Sequence, residues 1–207
     1  MKKTTLGELI ANAISHGIGM AFAITALVLM LIKAEGIVQI LCSIAFGSSL
    51  IILYTSSTLF HSFPEKMKRV YTVFQRLDHS SIFLLITGTY TPFLVLLVGT
   101  PRAYALLIAL WIITIIGIVM KSIWIHKFQA VHLVLYLVMG WSILLIYKDV
   151  VSGFGSNFIF VFLGGISYTV GVLFYISKFK YQHFVWHLFV LGGSVFHFIS
   201  IYVGLLG

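Results

Sequence analysis

The sequence predicts an all-α integral membrane protein, a bundle of seven transmembrane helices in one domain that covers residues 1–207. Two observations carry this prediction: the composition, and the presence of seven long apolar segments. Of the 207 residues, 60% are hydrophobic and only 9% are charged, whereas a soluble domain carries about 25% charged residues. Mean hydropathy is +1.10. The composition therefore excludes a soluble enzyme, a disordered chain and a nucleic-acid-binding protein.

Each apolar segment is long enough to cross the hydrocarbon layer, which takes about 20 residues per helix. The predicted spans are Ile14–Ile32, Ile37–Phe60, Ser81–Val98, Ala103–Met120, Phe128–Ile146, Phe158–Ile176 and Phe184–Leu206. Seven such helices leave about 67 residues for eight loops and tails, which is too few for a domain outside the membrane.

Local features support the order of these elements. The first span follows two lysines, but Glu8 and Asn12 interrupt the apolar run and no small-residue cleavage site follows, so it is predicted to be a retained helix. Pro64 and Pro101 mark helix boundaries, and Pro92 predicts a kink inside the third span.

The basic residues predict the orientation. On the side of the amino terminus lie Lys2, Lys3, Lys66, Lys68, Arg69, Arg76, Lys121, Lys127, Lys178 and Lys180, against Lys33, Arg102 and Lys148 on the other side. By the positive-inside rule the amino terminus is cytoplasmic, and an odd number of spans places the carboxyl terminus outside. The positive charge is thus a topology signal, and we expect membrane lipids as contacts, with no nucleic acid and no evident soluble protein partner.

Ionisable side chains at the cytoplasmic ends of three spans suggest a metal site in the cell membrane, near its cytoplasmic face. His183 and His187 are four residues apart and share one helix face, the spacing at which two histidines bind one zinc ion. His61 joins them from the second span, and three imidazoles with an open fourth position form a catalytic zinc site. Two interfacial histidines bonded to headgroups or backbone remain the alternative for the pair.

Further residues have alternative roles. Asp78 is predicted either to cap the third span or to act at the metal, and the two roles can coexist. Ser57 lies four residues before His61 on the same helix face. Glu8, Asn12 and His16 could cap and orient the first span or line a cavity. His197 is predicted to be buried and hydrogen-bonded, because it lies about 15 Å along the helix from His187.

These residues together resemble the bacterial hemolysin III family. The resemblance rests on the segment Glu8-Leu9-Ile10-Ala11-Asn12-Ala13-Ile14-Ser15-His16-Gly17, on Ser57-x3-His61, Asp78 and His183-x3-His187, and on Thr87-Gly88-Thr89-Tyr90-Thr91-Pro92-Phe93. This family belongs to the progestin and adipoQ receptor superfamily, which includes the adiponectin receptors. The long amino-terminal domain of those receptors is absent.

The resemblance implies seven helices, a cytoplasmic amino terminus and zinc held by His61, His183 and His187. It further implies that Asp78 contacts zinc-bound water, that Ser57 belongs to the same motif, and that the protein is related to alkaline ceramidases and to proteins linked to lipid homeostasis and red-cell lysis.

Three functions follow as hypotheses. The first is a zinc-dependent hydrolase that acts on an amide or ester bond of a membrane lipid bound in the bundle cavity. In it Asp78 is the general base, and Ser57 orients a ligand histidine or stabilises the oxyanion. The second is a sensor or regulator with a structural zinc ion. The third is a cytolytic protein, which the lack of a continuous polar stripe argues against.

Overall fold

The structure of the protein, a computed structural model, describes residues 4–206, so the predicted topology markers Lys2, Lys3 and Gly207 lie outside the described residues. The described chain is helical and contains no strand. The helices are α1 (Leu6–Lys33), α2 (Gly36–Ser62), α3 (Lys68–Pro92), α4 (Pro101–Ile123), α5 (Gln129–Trp141), the short α6 (Tyr147–Phe154), α7 (Phe158–Tyr175) and α8 (Gln182–Gly204).

The third helix differs from its predicted form at both ends. It begins at Lys68, so Asp78 lies well inside it. The prediction that Asp78 caps this helix is therefore wrong, because the polar segment before it continues the helix by ten residues. At the other end the regular α-helix stops at Pro92, and a π-helical segment, Phe93–Val98, follows it. A proline ring removes a backbone donor and disturbs the preceding turn, which explains the change at the predicted kink.

Six helical segments of the described chain are long and apolar enough to cross a membrane. Five correspond to α1, α2, α3 with its π-helical extension, α4 and α8. The sixth is a run of 47 residues, Gln129–Tyr175, in which 3₁₀ segments at Ser142–Ile146 and Gly155–Asn157 flank α6. Gly155 has a φ of 55°, a conformation that breaks the helix.

The two ends of this long run lie side by side. Trp141 Nε1 donates a hydrogen bond to Thr169 Oγ1 at 3.0 Å. In one straight helix 28 residues would separate these side chains by about 42 Å. The chain therefore reverses between α5 and α7, at α6 and the segments beside it.

Outward-facing side chains fit a lipid environment. On α4, for example, Ile108, Ile112 and Ile115 are exposed at a helical spacing, while Thr114 and Leu110 are buried. Apolar side chains on the outside and small polar ones inside are typical of a membrane bundle. The chain is thus a multi-pass membrane protein.

A capping box and one further hydrogen bond position the helices that carry the site. The Thr5 and Glu8 side chains cap the start of α1 reciprocally. Glu8 Oε1 also accepts a hydrogen bond from the backbone N–H of Tyr181 at 3.0 Å. Tyr181 immediately precedes α8 and has a φ of 63°. Glu8 therefore holds the amino-terminal ends of α1 and α8 together.

Candidate metal centre

Three histidine side chains meet at one end of the bundle. His61 lies in the last turn of α2, and His183 and His187 lie in the first two turns of α8. One ring nitrogen from each lies within 4.8 Å of the other two. The centroid of the His61 ring is 5.1 Å from that of His183 and 5.1 Å from that of His187. The structure thus brings together the three residues that the sequence proposed as metal ligands.

Helix α1 orients the His187 ring. His187 Nδ1 lies 3.1 Å from Ser15 Oγ and 3.3 Å from the Asn12 carbonyl oxygen. Ser15 Oγ in turn donates to the Asn12 carbonyl at 2.9 Å. A carbonyl oxygen only accepts, so the network is satisfied when Nδ1 carries the hydrogen. The lone pair of His187 is then on Nε2, the nitrogen left free to bind a metal.

His16 is a fourth histidine at this site. Its ring stacks on that of His187 with centroids 3.4 Å apart and an angle of 14° between the planes. Its other neighbour is Tyr54, which meets it edge to face at 5.1 Å. His16 is buried, and neither of its nitrogens makes a hydrogen bond with the described residues. The sequence left its role open between helix capping and cavity lining; the structure shows that it lines the cavity and packs on a cluster histidine.

Asp78 and Ser57 lie beside the cluster on α3 and α2. The Asp78 carboxylate is 3.4 Å from His79 Nδ1, and its side chain is 15% exposed. Ser57 Oγ is buried near the carboxyl group of Asp78 and makes no hydrogen bond to a cluster histidine or to any other described residue.

A cavity of about 330 Å³ opens from the cluster into the bundle. His183, His187 and Asp78 line its polar end, whereas His61 and Ser57 do not. Most of its remaining wall is apolar or aromatic, with side chains from α3, α5, α7 and α8. A second cavity of about 270 Å³ shares Tyr90 and Trp141 with the first and continues towards Phe158. Together they form an elongated apolar space that reaches the histidines.

The donor set fits a metal ion. The His61 Nε2 atom is buried without a hydrogen-bond partner, which is costly for a polar atom that binds nothing. Three neutral imidazoles form a common zinc site, in which tetrahedral geometry and Zn–N distances of about 2.0–2.1 Å place the nitrogens roughly 3.3 Å apart. The observed separations of up to 4.8 Å exceed this by an amount that side-chain rotation can supply.

Two other histidines, His132 and His197, lie outside the three-histidine cluster. His197 Nε2 lies 3.2 Å from the Val161 carbonyl oxygen, which confirms that His197 is a hydrogen-bonded interior residue. His132 is fully buried, and its Nδ1 lies 2.7 Å from the Phe128 carbonyl oxygen. It serves as a packing residue of α5.

These features define the class: a multi-pass helical membrane protein with a three-histidine cluster at the end of an apolar cavity. A family model described as "Haemolysin-III related" matches residues 6–198, and the chain belongs to that family. It is 41% identical to a hemolysin-3 homolog of Bacillus subtilis (strain 168) over 202 residues, which cover 95% of this chain and 94% of that protein. It is 40% identical to hemolysin-3 of Bacillus cereus over 200 residues, which cover 94% and 90% of the two chains.

A human protein is more distantly similar. The monocyte to macrophage differentiation factor of Homo sapiens is 27% identical over 205 residues, which cover 97% of this chain and 85% of that protein.

Proposed function

We propose that the protein is a zinc-dependent hydrolase of the cell membrane that cleaves an amide or ester bond of a membrane lipid. The observation that carries the proposal is the cavity of about 330 Å³, because it connects two of the clustered histidines and Asp78 with an apolar space between the helices. Apolar clefts with a few convergent polar groups are typical of binding sites for apolar ligands.

In the proposed architecture the chain crosses the membrane seven times, with the amino terminus in the cytoplasm. The hydrogen bond between Trp141 and Thr169 supports α5 and α7 as separate passes. A single pass of 47 residues would be about 70 Å long, against a hydrocarbon layer of about 30 Å. The ten-to-three distribution of basic residues along the sequence supports the orientation, with the histidine cluster near the cytoplasmic face.

His61, His183 and His187 are the proposed zinc ligands. Zinc held by these three imidazoles would supply a Lewis acid that makes water more acidic and polarises a carbonyl group. Asp78 lines the same cavity, where it accepts a proton from the attacking water and returns it to the leaving group. Ser57 lies near Asp78, and a hydrogen bond from its hydroxyl would orient that carboxylate during the reaction. The acyl chain of the lipid occupies the apolar part of the cavity.

The other two hypotheses have less support. A structural zinc ion in a sensor would be expected in a closed site that is fully ligated by protein, whereas this cluster opens to a cavity. The names of the two Bacillus relatives suggest that those proteins are cytolytic. A channel-forming lysin would need a polar lining, and most of the cavity wall here is apolar.

Asp78→Asn tests the hydrolase proposal. The change preserves the shape of the side chain but removes the base. Zinc content and melting temperature should therefore stay near wild type, while lipid hydrolysis by the purified protein falls by about 10²-fold or more. His61→Ala is the matched comparison and should lose zinc, stability and activity together. Full activity in Asp78→Asn, with activity lost in His61→Ala, would favour the structural zinc instead.

A further inference from the structure

Lys121 is a buried cation in the last turn of α4. The sequence predicts that Lys121 is one of the cytoplasmic basic residues that set the orientation, and such residues are ordinarily exposed. The residue is instead only 4% exposed and lines the cavity, and no hydrogen bond or ion pair found among the described residues involves its ammonium group. By contrast, Lys127, only six residues later, is exposed.

The position of Lys121 is costly without a counter-ion. An ammonium group taken out of water loses hydration that only hydrogen bonds and an opposite charge replace. The carboxyl end of α4 contributes a partial negative charge, but helix termini offset only a fraction of that loss. A lysine that lines a cavity without a protein counter-ion therefore offers its charge to a group bound in that cavity.

Lys121 lines the same cavity as the histidine cluster, and the groups near it supply no negative charge. Gln129 and His132 lie on the same stretch of wall. His132 Nδ1 contacts a carbonyl oxygen, so this nitrogen carries a hydrogen, and Nε2 has no partner among the described residues. Asp78 is the one carboxyl group among the cavity-lining residues that the structure describes, and it lies 3.4 Å from His79 Nδ1.

We propose that Lys121 binds the anionic headgroup, a carboxylate or phosphate, of a lipid whose chain lies in the cavity. The inference shares one premise with the proposed function, namely that the cavity binds a lipid. It identifies the substrate or product of the protein as an anionic lipid. An ammonium bonded to an anion forms a charge-assisted hydrogen bond, about twice as strong as a neutral one. The apolar wall then accommodates the acyl chain.

Binding of a dibrominated 18-carbon fatty acid, compared with the corresponding alcohol, tests this site. Bromine quenches the fluorescence of Trp141 and Trp186, which line the cavity. The measurement uses full-length protein in discs of neutral lipid, after zinc has been removed with a chelator and its absence checked. Without zinc, neither metal coordination nor hydrolysis contributes, so the result does not depend on whether the protein is a zinc hydrolase.

The wild type should bind the acid at least about 10-fold more tightly than the alcohol, the scale of a hydrogen bond to a charged group. Lys121→Met should lose this preference, Lys121→Arg should retain it, and the exposed control Lys127→Met should behave as wild type. In the same discs without fatty acid, the melting temperature of Lys121→Met should equal or exceed that of wild type, because the variant no longer buries an unpaired charge. If Lys121→Met does not fold, Lys121→Gln takes its place.

Equal binding of acid and alcohol by the wild type would overturn the proposal, as would an unchanged preference in a folded Lys121→Met or Lys121→Gln variant. Inorganic phosphate distinguishes the source of the anion. Failure of 10 mM phosphate, roughly a thousand times a fatty-acid concentration of about 10 μM, to displace the fatty acid supports a lipid headgroup. Complete displacement of the fatty acid by phosphate would show a site for free anions and overturn the assignment to a lipid.

Discussion

The position of one hydrogen on His187 determines which of its nitrogens can bind a metal. In the structure the Ser15 hydroxyl accepts a hydrogen bond from His187 Nδ1 and donates one to the Asn12 carbonyl oxygen. Metal-binding histidines commonly have such a partner on the second nitrogen, which fixes the tautomer and the ring orientation. Asn12 and Ser15 of α1 thus orient the ring of His187, a residue more than 170 positions away in the sequence.

Ser15→Ala should weaken zinc binding by about 10-fold to 100-fold, the range found for partners of metal-bound histidines. The three proposed ligands remain present, so zinc should still bind at high concentration. Competition with a calibrated chelator measures the affinity. Ser62→Ala is a suitable control, because the Ser62 hydroxyl bonds only to Thr58 O in its own helix. Unchanged affinity in Ser15→Ala would mean that α1 does not orient His187.

Sequence reasoning at this scale proposed the residues with a recognisable spacing or motif. His183 and His187 are four apart, and His61 and Asp78 end up on the same side of the membrane once the spans are counted. The stacking of His16 on His187 and the burial of Lys121 could not be predicted from the sequence. Both depend on how helices distant in sequence rotate against each other, which no local pattern records.

At the scale of the helices, small residues determine how closely the elements approach. A Cβ atom on Gly88 of α3 would lie 2.9 Å from the backbone oxygen of Ala45 on α2, and it would also meet the Ser49 side chain. A backbone oxygen has little room to yield. The close contact holds α2 and α3, which carry His61 and Asp78, in their relative positions.

Gly88→Ala should therefore destabilise the protein by about 1–3 kcal/mol, the cost of inserting a methyl group into a packed interface. Gly140→Ala is the matched control, because a Cβ atom there has nothing within 4 Å. The control should be neutral or slightly stabilising, since alanine favours helices. Thermal unfolding of the two purified variants under identical conditions measures the difference. Equal stabilities would show that the α2–α3 contact relaxes without cost.

The link between α1 and α8 leads to a separate prediction. Glu8→Ala removes both the capping box and the acceptor for Tyr181 N–H, which together contribute about 2 kcal/mol. For a chain of this size that loss lowers the melting temperature by roughly 4–8 °C. Glu35→Ala should have little effect, because the Glu35 side chain makes no capping hydrogen bond. The smallest decrease expected for Glu8→Ala is roughly 4 °C. A decrease of less than about 1 °C would therefore contradict the role of Glu8.

For the whole molecule, the number of membrane passes determines which groups share a compartment. Hydropathy identified the apolar segments, and proline and charge placed most of their ends. The sequence predicted two spans here, Phe128–Ile146 and Phe158–Ile176, whereas the helical run from Gln129 to Tyr175 is nearly continuous in the structure. The contact of Trp141 with Thr169 supports a reversal within that run. With seven passes the α7–α8 connection lies in the cytoplasm; with six it lies outside.

Single-cysteine labelling distinguishes these two arrangements. Cys42, the only cysteine of the chain, is buried and can be replaced by alanine to give a cysteine-free background. In intact cells a membrane-impermeant maleimide should then label Arg102→Cys but not Lys178→Cys, which should react only after permeabilisation. This result follows if α5 and α7 are separate passes and the basic loops are cytoplasmic. Labelling of Lys178→Cys in intact cells would place His183, five residues later, at the outer face, away from His61, which is incompatible with a three-histidine metal site.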